Sequence, residues 1–259
     1  MLTDERRKII CEMLDSQNAV STVNLSKKFN VSIETIRKDL LFLENNNKLS
    51  RVHGGAMALT TQRPNLDYEE RLDDNVKGKQ ELSRLAAMLV HNGDIISIDS
   101  GSTAIEFIKA LMARLDTLTI ITNSIDIFEI ARNFKHFNIL LCGGYFMREE
   151  NAFYGTFTLE MLESIHVNKT FLFPSTISLE NGICSYHEQL YEVQKKYLKT
   201  GDEIIILADS GKFEKSAMLK LCDMNEKYTY VTDSGLGKEI KEIYKNNNIK
   251  IITSEDDLK

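Results

Sequence analysis

Cysteine is scarce in this chain, and the little there is does not pair up. Cys11, Cys142, Cys184 and Cys222 are scattered along 259 residues. They have neither CxxC spacing nor the density of a disulfide framework, so four reduced thiols are expected. No HExxH, Walker A or Cys/His metal spacing occurs, so no metal site and no cofactor are expected. No apolar run approaches the roughly 18 residues of a membrane span. The opening "MLTDERRKII" carries five charges, which argues against a signal peptide. The expectation is a cytoplasmic protein without membrane partners. Proline is nearly missing, at two residues, and one of these falls in the polar stretch "TTQRPNLDYEERLDD". Repeats and low-complexity segments are absent as well.

What is present suits a soluble protein with real cores: 42% hydrophobic and 27% charged residues. The length favours two domains. The net charge of −6 is unevenly spread. Residues 1–60 hold nine Lys/Arg against seven Asp/Glu, and the remainder holds 23 against 31. That local excess is small, so any claim of DNA binding has to rest on pattern.

Along the first sixty residues the apolar spacing is helical. Thr3 can cap a helix through "DERRKIICEMLDSQ", with Ile9, Ile10, Met13 and Leu14 on one face. "NAVS" breaks the pattern, and "TVNLSKKF" reads as a short second helix. After the turn "NVS", Ser32 can cap a third helix, "IETIRKDLLFLENN", with Ile33, Ile36, Leu40 and Leu43 as its buried stripe. Asn45 to Asn47 end it. "KLSRVHGGAMAL" looks like a short hairpin with a Gly-Gly turn. Three helices and a hairpin make a winged helix-turn-helix, whose third helix enters the major groove. That helix would present Ser32, Glu34, Thr35, Arg37 and Lys38 outward. Arg can pair bidentately with guanine, and a helix start favours phosphate. Arg51 and His53 would stand on the wing, within reach of the DNA backbone or minor groove. Spacing alone leaves a second reading open: a helical bundle with a solvated charged face.

The stretch "VSIETIRKDLLFLENNNKLSRVHGGA" resembles the signature of the DeoR family of bacterial transcription regulators. The match covers Val31, Ser32, Thr35, Ile36, Arg37, Asp39, Leu40, Leu43, Glu44, Arg51, Val52, His53, Gly54, Gly55 and Ala56. The chain departs from the pattern at Lys38, where Arg is usual, and at Asn47, where Gly is usual. Lysine keeps the positive charge without the fork of arginine, which suits phosphate better than a base edge. The resemblance implies a double-stranded operator as partner.

Residues 60–74 read as a linker, which sets domains at 1–59 and 75–259. Beyond it short apolar runs alternate with helical stretches: "DIISID", "LTIIT", "NILLC", "KTFLFP" and "EIIILAD" as strands, with helices between. Such alternation means an α/β fold, a Rossmann-like domain with a mostly parallel sheet. Four polar turns fall at strand ends: "DSGST" (99–103), "TNS" (122–124), "CGG" (142–144) and "ADSGKF" (208–213). Ligands of open α/β sheets bind outside the carboxyl ends of strands, and a strand–turn–helix junction offers free N–H groups to an anion. The plain alternatives are tight turns, a capping Asp99 and a surface Lys212.

These turns also resemble the sensor domain of the same family, which is related to phosphosugar isomerases of the ribose-5-phosphate isomerase type. The resemblance implies a phosphorylated sugar, or a similar metabolite, as effector. Its phosphate would sit on Ser100, Gly101, Ser102 and Thr103. Asp99, Thr122, Asn123, Ser124, Gly143, Gly144 and Lys212 would line the rest. After "KTFLF" the family usually carries small residues with glycine, whereas this chain has "PSTIS". Pro174 stiffens that turn, which implies a reshaped pocket or loss of the usual effector. Isomerisation needs a carboxylate base, and residues 173–178 contain none. A non-enzymatic regulator is therefore expected. It would act as a homo-oligomer, a dimer or tetramer, repressing carbohydrate genes until the effector binds. Two alternatives remain at this stage: a phosphosugar-processing enzyme with a DNA-binding appendage, and a DNA-binding protein independent of any effector.

Overall fold

The computed structural model describes residues 3–17, 19–46, 48–52, 55–58 and 67–258. It separates into two units, Met1–Asn65 and Leu66–Lys259. His53 and Asn47 lie outside the described residues, as does much of the stretch read as a linker.

The first unit contains α1 (Thr3–Gln17), β1 (Ala19–Ser21), α2 (Thr22–Phe29), α3 (Ile33–Asn45), β2 (Leu49–Val52) and β3 (Gly55–Ala58). Asn30 ends α2 in a left-handed conformation, φ 50°, and so turns the chain into α3. Ser32 then caps α3 by accepting from the Thr35 N–H at 3.1 Å. Ile10, Leu14, Leu25, Phe29, Ile36, Leu40 and Leu43 form the core.

Two expectations need correction here. Ile33 is 41% exposed instead of buried. Helical side chains lean toward the N-terminus, so a residue at the first position overhangs the end. "NAVS" is also more than a break, because β1 joins the wing in a three-stranded antiparallel sheet of order β1-β3-β2. Gly55 is not a turn residue only; it pairs with Val52 on one side and Ser21 on the other. A Cβ there would fall 2.1 Å from the Val20 carbonyl oxygen.

The second unit begins with α4 (Tyr68–Asp73) and α5 (Val76–Ala87), so the later part of the 60–74 stretch is helical. An Asp67–Glu70 capping box starts α4. There follow β4 (Ile95–Ile98), α6 (Ser102–Arg114), β5 (Leu118–Thr122), α7 (Ile125–Ala131), β6 (Phe137–Leu141), β7 (Tyr145–Met147), β8 (Ala152–Tyr154) and α8 (Thr156–Glu163). Then come β9 (Val167–Leu172), β10 (Thr176–Ser178), β11 (Gly182–Ser185), α9 (Glu188–Tyr197), β12 (Gly201–Leu207), β13 (Leu219–Cys222), β14 (Thr229–Val231), α10 (Lys238–Asn246) and β15 (Ile251–Ile252).

Seven strands form one sheet of order β15-β14-β12-β9-β4-β5-β6, and every pairing in it is parallel. Alternate side chains of β12 serve opposite faces, as strand geometry requires. Ile205 and Leu207 join a core with Phe107, Leu111 and Phe171, while Ile204 and Ile206 join one with Val193, Tyr197 and Tyr230. Two antiparallel additions, β7–β8 and β10-β11-β13, stand beside this sheet. The order places the carboxyl ends of β12, β9, β4 and β5 next to one another.

Candidate functional site

In the first unit, α3 carries an exposed polar edge. Arg37 and Glu34 are both about two-thirds exposed and lie 3.4 Å apart, a loose pair in water. Lys38 is exposed too. Ser32 and Thr35 share a 2.8 Å hydrogen bond between their hydroxyls. Arg51 is held by the end of α3: its Nε donates to Glu44 at 2.7 Å and its backbone N–H donates to the same carboxylate at 2.9 Å. These bonds, the backbone one first, keep the Glu44 carboxyl below its ordinary pKa. They also fix β2 against α3. Asp39, inside the same motif, does not face outward. It is 2% exposed and accepts from Arg6 Nε at 2.6 Å and Arg7 Nε at 2.9 Å, which ties α1 to α3.

In the second unit the structure gathers most of the expected residues at the strand ends. Asp99 follows β4 and is fully buried. Its backbone N–H donates to the Phe171 carbonyl at 3.0 Å, and Gln194 Nε2 donates to its carboxylate at 2.9 Å. Burial pushes the Asp99 pKa up to about 7, against the opposing pull of Gln194 and of the Ser100 and Phe173 N–H groups. Gly101, at φ 144°, takes a conformation other residues avoid and opens α6 without any side-chain cap. Ser100 and Thr103 are 4% and 1% exposed. Among the described residues, the Ser100 and Thr103 hydroxyls and Gln194 Oε1 are buried with no hydrogen-bond partner. Unmatched buried oxygens cost about 1–3 kcal/mol each. Three of them around one strand end, at the start of a helix, suit a ligand that supplies the partners.

The remaining expected residues divide. Lys212 follows β12, and its Nζ donates to the Pro174 carbonyl at 3.1 Å. This places it above the end of β9. Burial, first of all, holds its ammonium below the usual lysine value, and nearby Asp209 opposes the shift. Thr122, Asn123 and Ser124 have internal partners. Asn123 bonds the Phe153 carbonyl at 2.9 Å and the Tyr197 hydroxyl at 3.0 Å, Thr122 accepts from the Ser124 N–H, and Ser124 caps α7. Gly143 and Gly144 pack on a neighbouring helix and strand. The Gly143 carbonyl accepts from Thr158 at 3.0 Å, and a Cβ on Gly144 would meet Thr158 Oγ1 and the Tyr154 carbonyl at 2.4 Å. Of the expected residues, those with unmatched buried oxygens are Asp99, Ser100 and Thr103, and Gln194 adds another beside Asp99.

Sequence reasoning missed the ionic surroundings of Lys212. Lys79 on α5 is 3% exposed and donates from Nζ to the Arg71 carbonyl of α4. Arg71 itself pairs with Glu150, which also accepts from His187 Nε2 at 2.8 Å. Those partners hold the buried Glu150 carboxyl below its ordinary pKa despite desolvation. The Lys79 pKa falls to about 8 through burial first and then through repulsion from Lys212. Lys79 was invisible in the sequence, because a lysine in a polar helix ordinarily points to water. Among the described residues, no helix is long and apolar enough to cross a membrane.

Comparison with known proteins bears on both units. The DeoR-like helix-turn-helix domain matches residues 6–62, and the DeoR C-terminal sensor domain matches residues 74–234. The HTH-type transcriptional repressor GlcR of Bacillus subtilis (strain 168) is 31% identical over 99% of this chain and 98% of its own. The regulator YulB of the same organism is 31% identical over 97% of this chain and 96% of its own. The L-fucose operon activator of Haemophilus influenzae is 26% identical over 95% and 98%. Among solved structures, ribose 5-phosphate isomerase A of Methanocaldococcus jannaschii aligns with 52% of this chain and 53% of its own, at 19% identity and a TM-score of 0.39. A helix-turn-helix whose third helix is capped by Ser32, a wing braced on it, and a sensor-domain match covering most of the parallel-sheet unit agree with these whole-length relatives: the chain belongs to the DeoR family of DNA-binding transcriptional regulators.

Proposed function

We propose that the chain represses carbohydrate-metabolism genes and that a phosphorylated sugar releases it from its operator. Residues 1–59 act on DNA through Ser32, Glu34, Thr35, Arg37, Lys38, Arg51 and His53. Residues 75–259 sense the effector, with 60–74 joining the two. The supporting observation is the pair of unmatched buried hydroxyls, Ser100 and Thr103, at the uncapped start of α6. A phosphate supplies acceptors for both hydroxyls and for the N–H groups there, and Lys212 supplies countercharge. Relatives named for a repressor and for a sugar operon agree with this reading. The reading is of a cytoplasmic homo-oligomer that is non-catalytic, the last because Asp99 is engaged by Gln194 and residues 173–178 lack a carboxylate base.

The test is calorimetry with a panel of hexose and pentose phosphates beside the same sugars without phosphate, paired with an operator-release assay. The phosphorylated form should bind far more tightly. Thr103→Val keeps the side-chain size and removes the hydroxyl, at a cost of roughly 1–3 kcal/mol, so affinity should fall by about tenfold or more. Operator binding without effector should be unchanged, leaving a repressor deaf to the metabolite. Equal affinity for both forms of every sugar would place the site elsewhere. Effector-promoted operator binding would overturn release by the effector.

A further inference from the structure

The site contains one polar connection that nothing in the effector-binding reading uses. Lys79 and Lys212 repel each other, and each ammonium donates to a backbone carbonyl: Lys79 to Arg71, Lys212 to Pro174. The Arg71 carbonyl belongs to the last turn of α4 (Tyr68–Asp73), where carbonyls lack helical partners and favour a cation. The same short helix is also tied by its side chains. Tyr68 donates to Asp126, and Arg71 pairs with Glu150. Helix α4 also packs against α6, the helix that Ser102 opens. It buries no residue of its own. A six-residue helix without a buried side chain depends on such polar ties.

We infer that Lys79 couples the effector site to α4: an anion at the 100–103 turn and Lys212 fastens the Lys79 ammonium onto the Arg71 carbonyl, so that occupancy orders the helix opening the second unit. The inference rests on the effector-site reading above and adds its regulation. An anion offsets the repulsion between the two lysines. It favours the charged form of Lys79, which makes the stronger donor. In chain order α4 is the first described element after the DNA-binding unit, which gives its ordering a route to regulation.

Hydrogen exchange of the full chain, with and without saturating inorganic phosphate, tests this. Amides of residues 68–73 should exchange severalfold more slowly with phosphate bound, because the Lys79 bond to the Arg71 carbonyl is strengthened rather than newly made. Lys79→Met keeps the length of the chain and removes the charge. It should still bind phosphate by calorimetry, through Thr103 and Lys212, while 68–73 gain no protection. Lys79→Arg should restore part of that protection. If phosphate binds the wild type and Thr103→Val weakens the binding, but exchange at 68–73 does not change, the coupling is wrong and the site stands. If phosphate fails to bind, or binds regardless of Thr103, site and coupling fall together. The wild-type comparison decides the matter even if both Lys79 variants fail to fold.

Discussion

Asp39 lies within the stretch that most resembles a DNA-contacting helix, yet its carboxylate is engaged inward by Arg6 and Arg7. A motif match cannot separate such a residue from its outward neighbours Arg37 and Lys38, because all three are charged. Only packing assigns the roles. Removing one partner of a buried ionic group costs about 3–5 kcal/mol. Asp39→Ala should therefore unfold or loosen the first unit and abolish operator binding. All nine tyrosines lie at or beyond Tyr68, so tyrosine fluorescence follows the second unit alone. Its unfolding should be unchanged in this variant, while amide exchange in α1 and α3 accelerates. Asp99 presents the opposite case, a buried carboxylate whose protonated form the fold favours. Its pKa is about 7 when folded and about 3.9 when unfolded. The folded state then binds the extra proton between those values. The stability this contributes is complete below about pH 4 and is lost as pH rises through 7, by about 4 kcal/mol. Urea unfolding followed by tyrosine fluorescence at pH 5 and pH 8 should show roughly 3 kcal/mol of that loss, the rest falling below pH 5. Asp99→Asn should flatten it. An equal slope in both proteins would show that other groups set the pH dependence.

At the scale of elements, the sequence was most legible where one physical signal ruled. "LTIIT" and "EIIILAD" are apolar runs too short for helices, and they became β5 and the buried end of β12 in a sheet covered on both faces. The turns at 99–103 and 208–212 were legible because small polar residues after such runs mark strand ends. The β10-β11-β13 sheet was not. "TIS" and "GICS" are too short for alternation to show, and their pairing is set by contacts distant in sequence. Lys79, Arg71 and Glu150 were hidden for a related reason: burial of a charge is decided by partners far along the chain. The wing illustrates both sides. Its hairpin was readable, but the third strand β1, and with it the reason for Gly55, was not. Gly55→Ala drives a Cβ into the Val20 carbonyl, so β1 has to move away from β3. Overpacking of this kind costs roughly 1–3 kcal/mol. Operator affinity should fall with it, whereas the response of the second unit to phosphate should remain that of the wild type. Unaltered operator affinity would mean that the wing tolerates a displaced β1 or contributes little to DNA contact.

Across the whole molecule, charge is segregated rather than merely acidic. Residues 1–60 carry a small positive excess and the rest a negative one, within a net charge of −6. An acidic bulk repels a phosphate backbone at distances up to about a Debye length, ~8 Å at physiological salt. Attraction must then come from few, close contacts made by the first unit, and each neutralised phosphate contributes about −0.9 to the slope of log K against log salt concentration. Repulsion from the second unit is itself screened by salt, so it works against this dependence and is strongest when salt is low. The two effects predict a curve with a characteristic shape. Operator affinity should fall steeply with salt above roughly 0.1 M, where the acidic unit is screened. Below that it should level off, where repulsion and counterion release oppose each other. Replacing Lys38 by Gln should make the high-salt slope shallower by about one contact's worth, ~0.9, without altering the preference for operator over scrambled DNA. Equilibrium titrations of the full chain on both DNAs, from low to high salt, measure the two quantities together. A slope near zero at all salt concentrations would show that the exposed edge of α3 does not lie on the DNA backbone.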